Sequence, residues 1–220
     1  AAVADVDLKR AEGIRKRFPK AKFYQDWREL LDKESKNIDS VNVSTPDHMH
    51  GPIGLAAMDL GKHCYGQKPL AQNLRECRAM AEMARKNKLM TQMGIQISSA
   101  FTERLVVSLV QSGAIGKVTR VHSFSSKKWG DMGPVPQKED KVPEGFDWDL
   151  WLGVAKHRPY IAGYYHPGNW RKRRDFGTGT FGDMGYHIFS GWYRSLGLTS
   201  PLSVVSHGPA SNQHNWAINA

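Results

Sequence analysis

The stretch from Val41 to Leu70 constrains this chain most. It holds a short β-branched run, a turn at Thr45-Pro46-Asp47, a helical pattern, and a second apolar run at His63-Cys64-Tyr65 that ends on Gln67-Lys68-Pro69. Ile53, Ala56, Ala57 and Leu60 recur at the i, i+3, i+4, i+7 spacing of one buried helix face. Gly61 follows, where a helix stop favours a residue that tolerates a left-handed backbone. Strand, helix and strand within about thirty residues make a βαβ unit, with parallel strands and a right-handed crossover. Both strands then finish on one edge of the sheet, where open α/β folds bind ligands. Thr45-Pro46 and Lys68 are thereby carried to a common rim.

The pattern extends on both sides. Residues 1–8 read as a strand ending at Asp5-Val6-Asp7, then a helix to about Phe18, then a short strand Lys22-Phe23-Tyr24. Asp26 caps the next helix and Asn73 a later one, whose Leu74, Cys77, Ala81 and Ala84 share a face. An apolar strand follows from Leu89 to Ile95. Strands alternating with helices over residues 1–95 predict a doubly wound parallel sheet. The period then changes. Residues 100–112 read as a helix with Phe101, Leu105 and Leu109 inside, and residues 117–125 alternate as a strand does. From Trp129 to Asn169 the chain is rich in Pro, Gly, Trp and Tyr. Trp148, Trp151, Tyr160, Tyr164 and Tyr165 predict an ordered segment wrapped on the rest. A glycine-rich approach at 177–182 leads into a helix from Asp183 to Leu196, and strands are expected at 202–206 and 215–218.

The 220 residues suffice for one large domain or two modest ones. No apolar run is long enough to cross a membrane as a helix. The chain opens on Ala1-Ala2-Val3 without a Met, in what reads as mid-strand, and is taken as a fragment. A cytoplasmic location is the default, with periplasmic export left open. A net charge of +10 attracts anions of every kind, nucleic acid included, and Arg171 to Arg174 is its densest run. No zinc-finger, RNA-recognition or helix-turn-helix pattern accompanies it, so nucleic-acid binding is not the expectation. Cys64 and Cys77 make no disulfide framework and read as small buried hydrophobes.

Four groups of residues carry chemistry, each beside a plainer reading. Asp5 ends a strand where dinucleotide folds place an acid on the adenosine ribose, yet Asp also suits turns. Asp47-His48-Met49-His50 resembles a metal cluster, but no further ligands at matched spacing appear, so no metal is expected. Lys68 is held at a strand end by Pro69, as a site residue or as an outward surface lysine. Asp183 and His187 stand four apart on one helix face, where a carboxylate can orient an imidazole as a general base.

These pieces, in order along the whole chain, resemble the Gfo/Idh/MocA oxidoreductases, the glucose–fructose oxidoreductase and inositol dehydrogenase family. The matching residues are Ser44 to His50, Gly61-Lys62-His63, Gln67 to Leu70, Gln92 to Gln96, Gly113 to Lys117 and Gly182 to His187. Asp147 to Gly153 and Asn169-Trp170-Arg171 resemble one branch of the family. The resemblance implies an α/β fold: a Rossmann NAD(P) domain over 1–97, lacking its first strand and glycine loop, and an incomplete α/β domain over 98–220 with an open, mainly antiparallel sheet. It implies oxidation of a sugar or polyol CH–OH, with Lys68, Asp183 and His187 catalytic. Asp5, Ser44, Thr45, Pro46, His48, His50, Gln67, Lys68 and Gln96 would hold the cofactor, with NAD favoured over NADP. Trp170, Arg171 and His187 would meet the substrate, and the second sheet would join a homo-oligomer. Rival readings are an NAD-dependent glycosidase of the same fold and a non-catalytic sugar or nucleic-acid binder. The chain departs from the family at Gln67, where Glu is common, and at Ser190, where an acid often follows the helix histidine. Its basic Arg171–Arg174 run hints at an anionic substrate.

Overall fold

A computed structural model describes residues 1–218. The first half alternates as its sequence pattern requires: β1 (Ala2–Ala4), α1 (Leu8–Arg17), β2 (Lys22–Tyr24), α2 (Trp27–Glu34), β3 (Ser40–Val43), α3 (His50–Asp59), β4 (His63–Gln67), α4 (Leu74–Lys86) and β5 (Thr91–Gly94). Short side chains start the helices. Asp7, Asp26 and Asn73 each accept a backbone N–H in the first turn of α1, α2 and α4. Gly61 takes the positive φ, +73°, that stops α3.

All the strand ladders among the described residues are parallel. β3, β4 and β5 form one sheet in that order, with Val43 opposite Gly66 and Gln67 opposite Gly94. β1 and β2 form a separate parallel pair. No ladder joins the two among the described residues, but one apolar cluster bridges them: Leu30, Leu31 and Ala57 pack with Ala2, Ala4 and Val41.

The helix faces differ in detail from their periodicity. In α3, Ile53, Gly54, Ala57 and Met58 are buried while Leu60, just past its end, is exposed. In α4, Met80 is the buried residue, and Leu74 and Ala81 face outward. The reason is that α3 packs against both the sheet and α4. Gly51 abuts Glu76 and Gly54 abuts Met80, which turns the buried stripe toward that contact.

The second half holds α5 (Phe101–Gln111), α6 (Trp148–Leu152) and α7 (Gly179–Ser195). In α5 only Val107 is buried; Phe101, Leu105 and Leu109 are exposed. The strands expected at 117–125, 202–206 and 215–218 do not form, so no antiparallel sheet is built among the described residues. Alternation says which face a strand would bury, but a strand exists only beside a hydrogen-bonded neighbour. Here Phe124 is 92 % exposed, and Asn215 makes a single bridge to Arg173. Phe124, Val204 and Val205 instead flank an open apolar hollow beside Met184 and Ile188 of α7.

The aromatic segment is ordered. Phe146, Trp148, Trp151, Tyr160, Tyr165, Trp170 and Phe176 form the core of the second half. Trp148 and Trp151 stack at 4.8 Å, and Trp148 donates its indole N–H to the Arg158 carbonyl at 2.7 Å. This core docks on the end of β1: the Leu8 N–H reaches the Gly145 carbonyl and the Asp147 N–H reaches that of Val6, both at 2.9 Å.

Candidate active site

The site grows from the ends of β3 and β4. The parallel register sets the turn after Val43 beside Gln67 and Lys68. His50, at the start of α3, fastens these two strand ends together. Its Nδ1 stands 2.6 Å from the Pro69 carbonyl oxygen and its Nε2 2.7 Å from that of Thr45.

Lys68 crosses to α7. Its ammonium donates to the Asp183 carboxylate at 2.6 Å and to the Asp183 backbone carbonyl at 2.8 Å, with both side chains mostly buried. Arg171 adds its Nε to the same carboxylate oxygen at 3.2 Å, and its guanidinium lies 4.2 Å over the Trp170 ring. Two cations thus share one carboxylate oxygen.

The expected Asp183–His187 hydrogen bond does not form, because Asp183 is taken by these two cations. His187 lies a turn further along α7 and feels Asp183 only through its charge. Burial first, and the Lys68 charge second, lower its pKa below the ordinary histidine value. A neutral imidazole at neutral pH is in the state that accepts a proton.

A cleft of about 440 Å³ opens along these strand ends, within the size range of small-molecule sites. Of the residues expected there, Asp5, Ser44, Thr45, Pro46, His50, Gln67, Lys68, Trp170, Arg171 and Asp183 line it. Three are not among its walls. His48 points the other way, its Nε2 lying 3.2 and 3.1 Å from the carbonyl oxygens of Trp151 and Leu152, with its ring edge-on to Phe176. Gln96 is exposed at the head of a short turn after β5. His187, one turn further along α7 than Asp183, is outside the cleft wall.

Sequence reasoning missed Gln25 and Trp27 on the first half of the cleft and Trp151 and His166 on the second. His166 is held by the carboxylate of Asp7 at 3.1 Å and stacks on Phe146 at 4.9 Å. It also missed Asp47, which is buried in the cleft wall and accepts the Thr178 hydroxyl at 2.8 Å. The Pro46-Asp47 turn was a visible signal; a partner 131 residues away was not.

The Arg171–Arg174 run is dispersed into separate contacts. Arg173 is buried, bonding Asp131 at 2.7 Å and Asn215 at 2.8 Å, and Arg174 reaches the Asn212 carbonyl at 3.1 Å. Only Arg171 turns into the cleft. Among the described residues no group of three His, Cys, Asp or Glu side chains is placed to hold a metal ion, and no helix is long and apolar enough to cross a membrane.

The cleft walls suit a nucleotide. Asp5 ends β1 with its carboxylate oxygen accepting the Asp7 N–H at 2.9 Å, and burial raises its pKa. Hydroxyls of Ser44 and Thr45 stand at the end of β3, and Pro46, Ile53 and Trp27 supply apolar wall.

Fold and cleft together define a parallel α/β protein with its ligand site at the carboxyl ends of the strands. Residues 1–95 match the model of an oxidoreductase family with an NAD-binding Rossmann fold, and residues 101–220 match that family's C-terminal α/β domain. The chain belongs to the Gfo/Idh/MocA oxidoreductase family. It is 26% identical over 127 residues to levoglucosan dehydrogenase of Pseudarthrobacter phenanthrenivorans, covering 58% of this chain and 32% of that protein. It is 28% identical over 123 residues to inositol 2-dehydrogenase of Salmonella paratyphi B, covering 55% and 36%. A glycosyl hydrolase family 109 protein of Shewanella sp. strain ANA-3 is 30% identical over 92 residues, covering 42% and 20%. The matched regions thus span a fifth to about a third of these relatives. The crystal structure of an oxidoreductase domain protein from Kribbella flavida shares the fold, with a TM-score of 0.62 at 24% identity over 89% of this chain and 44% of that one.

Proposed function

We propose that this chain is part of an NAD(P)-dependent oxidoreductase that acts on a CH–OH group of a sugar, sugar derivative or polyol. The observation that carries the reading is the Lys68–Asp183 pair. It joins the end of a Rossmann strand to a helix of the second half at the cleft where a nucleotide and a small polyol would meet. Bound nicotinamide would supply the hydride acceptor. The protein's own part is polar. The Lys68 ammonium, steadied by Asp183, faces the reacting oxygen as a positive charge and favours the alkoxide character that develops as hydride leaves. His187, kept neutral by burial and by Lys68, takes the hydroxyl proton. From outside the cleft wall, His187 does this through a hydroxyl or a water brought in with the substrate. Trp170 backs the cleft wall, and Arg171, laid over its ring, offers donors to the oxygens of a sugar.

On the cofactor, Asp5 at the end of β1 favours the free ribose of NAD over the 2′-phosphate of NADP, with Arg10 in the same cleft softening that preference. Product analysis of the full-length protein tests the reading. Net NADH formation from free sugars or inositols supports it. Redox-neutral release of an aglycone from a glycoside would favour the glycosidase instead, and no turnover of either kind would remove both.

A further inference from the structure

Asp183 lies just past the first turn of α7, and its placement depends on more than Lys68. Thr178 is the residue that should cap this helix, yet its side chain makes no capping hydrogen bond. Threonine in that position usually accepts a backbone N–H of the first turn. Here the hydroxyl donates instead to Oδ2 of Asp47 at 2.8 Å, across to the opposite half of the molecule. Beside it the His48 N–H donates to the Phe176 carbonyl at 3.2 Å. The short turn Asp47–Met49 therefore grips the chain just before α7 at two adjacent points, one through a side chain and one through the backbone. Gly182 completes the fit, since a Cβ there would run into the Thr178 side chain.

We propose that Asp47 is a positioning residue: through Thr178 it holds the first turn of α7 so that Asp183 stays seated on Lys68. This rests on the reading of Lys68 and Asp183 given above for its link to turnover, while the mechanical part stands by itself. A reacting group displaced by about an ångström loses on the order of a hundredfold in rate, so a support of this kind acts on turnover more than on binding.

Asp47 also gives the grip a pH dependence. Burial pushes its carboxyl up to about 6, against the pull of the Thr178 hydroxyl and of the His50 and Lys68 charges. The charged and titratable groups facing it are His50 from α3, Lys68 from the end of β4, and Asp183 and Tyr186 from α7. Protonation in mild acid removes a negative charge from beside Asp183 and weakens the acceptor that Thr178 holds.

The test uses the full-length protein with its lysines reductively methylated with a carbon-13 label, so that Lys68 is read by NMR without any turnover. Asp183→Asn identifies the Lys68 signal by moving it. Thr178→Val, which keeps shape and loses the donor, should move the Lys68 signal toward those of exposed lysines, and Thr178→Ser should restore it. In a His187→Gln background, which removes the other group that titrates beside Lys68, the signal should show an inflection near the Asp47 value, about 6, that adding Asp47→Asn abolishes. In dehydrogenase assays of the unmethylated protein, Thr178→Val should lower kcat by about tenfold to a hundredfold with KM for the nucleotide little changed. A Lys68 signal unmoved by Thr178→Val, or an inflection surviving Asp47→Asn in the His187→Gln background, overturns the proposal. If the signal responds as stated but no dehydrogenase activity exists to be lowered, the positioning role stands and the functional reading falls.

Discussion

Replacing His48 by Leu tests how the aromatic segment is held to the Rossmann half. The ring is 1 % exposed and its Nε2 faces two carbonyl oxygens, of Trp151 at 3.2 Å and Leu152 at 3.1 Å. Carbonyls only accept, so Nε2 carries the proton, while the buried Nδ1 meets no partner. Leucine fills the space and removes the donor. Leaving buried acceptors unpaired costs about 1–3 kcal/mol, which sets the expected loss near neutral pH. The pH dependence adds a sign. Burial lowers the His48 pKa to about 4 from an ordinary value of 6.5. Between these values the unfolded chain binds a proton that the folded chain refuses, so this contribution is fully present above 6.5 and is lost as pH falls through 4. One proton gives a slope of up to about 1.4 kcal/mol per pH unit, so roughly 3 kcal/mol is lost across that window. Urea unfolding of the unsubstituted protein and of His48→Leu, taken from about pH 7 to about pH 4, separates the two terms. The variant starts less stable and loses less on acidification, so the two curves converge. Parallel curves would refute the assignment of this proton-linked stability to His48, since Asp47 and the other groups titrating in the window are common to both proteins.

Glu34 accepts from Lys22 and Tyr24, each at 2.7 Å, and from Asn37 at 3.2 Å, which holds its carboxyl down to about 2. Its contribution is present above the ordinary value of 4.5 and is lost as pH falls toward 2; Glu34→Gln should flatten that part of the acid unfolding curve. Phe176, fully buried at 0 % exposure, touches the His48 ring and lies under the Arg158 guanidinium, so Phe176→Ala should cost about 3–5 kcal/mol in chemical unfolding. Gly182→Ala should cost about 1–3 kcal/mol by overpacking against Thr178, and a Thr178→Gly background should recover most of the loss in the same assay.

What was legible in the sequence follows from the range of the interactions involved. β1 to β5 and the caps at Asp26 and Asn73 are set by residues within a few positions of one another, and the structure keeps them. The rim shared by Thr45, Pro46 and Lys68 follows from the same local logic, because a parallel crossover leaves no other place for two strand ends. The strands beyond residue 112 failed for the opposite reason. Residues 117–125 carry a good alternating pattern, but a strand needs a neighbour, and alternation does not name one. The Asp183–His187 pair failed similarly. Helical spacing puts both on one face of α7, but Lys68 and Arg171, arriving from elsewhere in the chain, are stronger partners for the carboxylate than a neutral imidazole. Asp47 reads from the sequence as a residue of the turn that enters α3. Its use became visible only once Thr178 was seen folded against it.

The central claim is that the cleft at the ends of β3 and β4 is a hydride-transfer site worked by Lys68 and His187. The most direct measurement is the single-turnover rate of NADH formation by the full-length protein, pre-mixed with NAD and a saturating polyol or sugar, in Lys68→Met and in His187→Ala. The rate should fall about a hundredfold to ten-thousandfold in each, with nucleotide affinity in His187→Ala unchanged. Rates equal to that of the unsubstituted protein in both variants would contradict the claim.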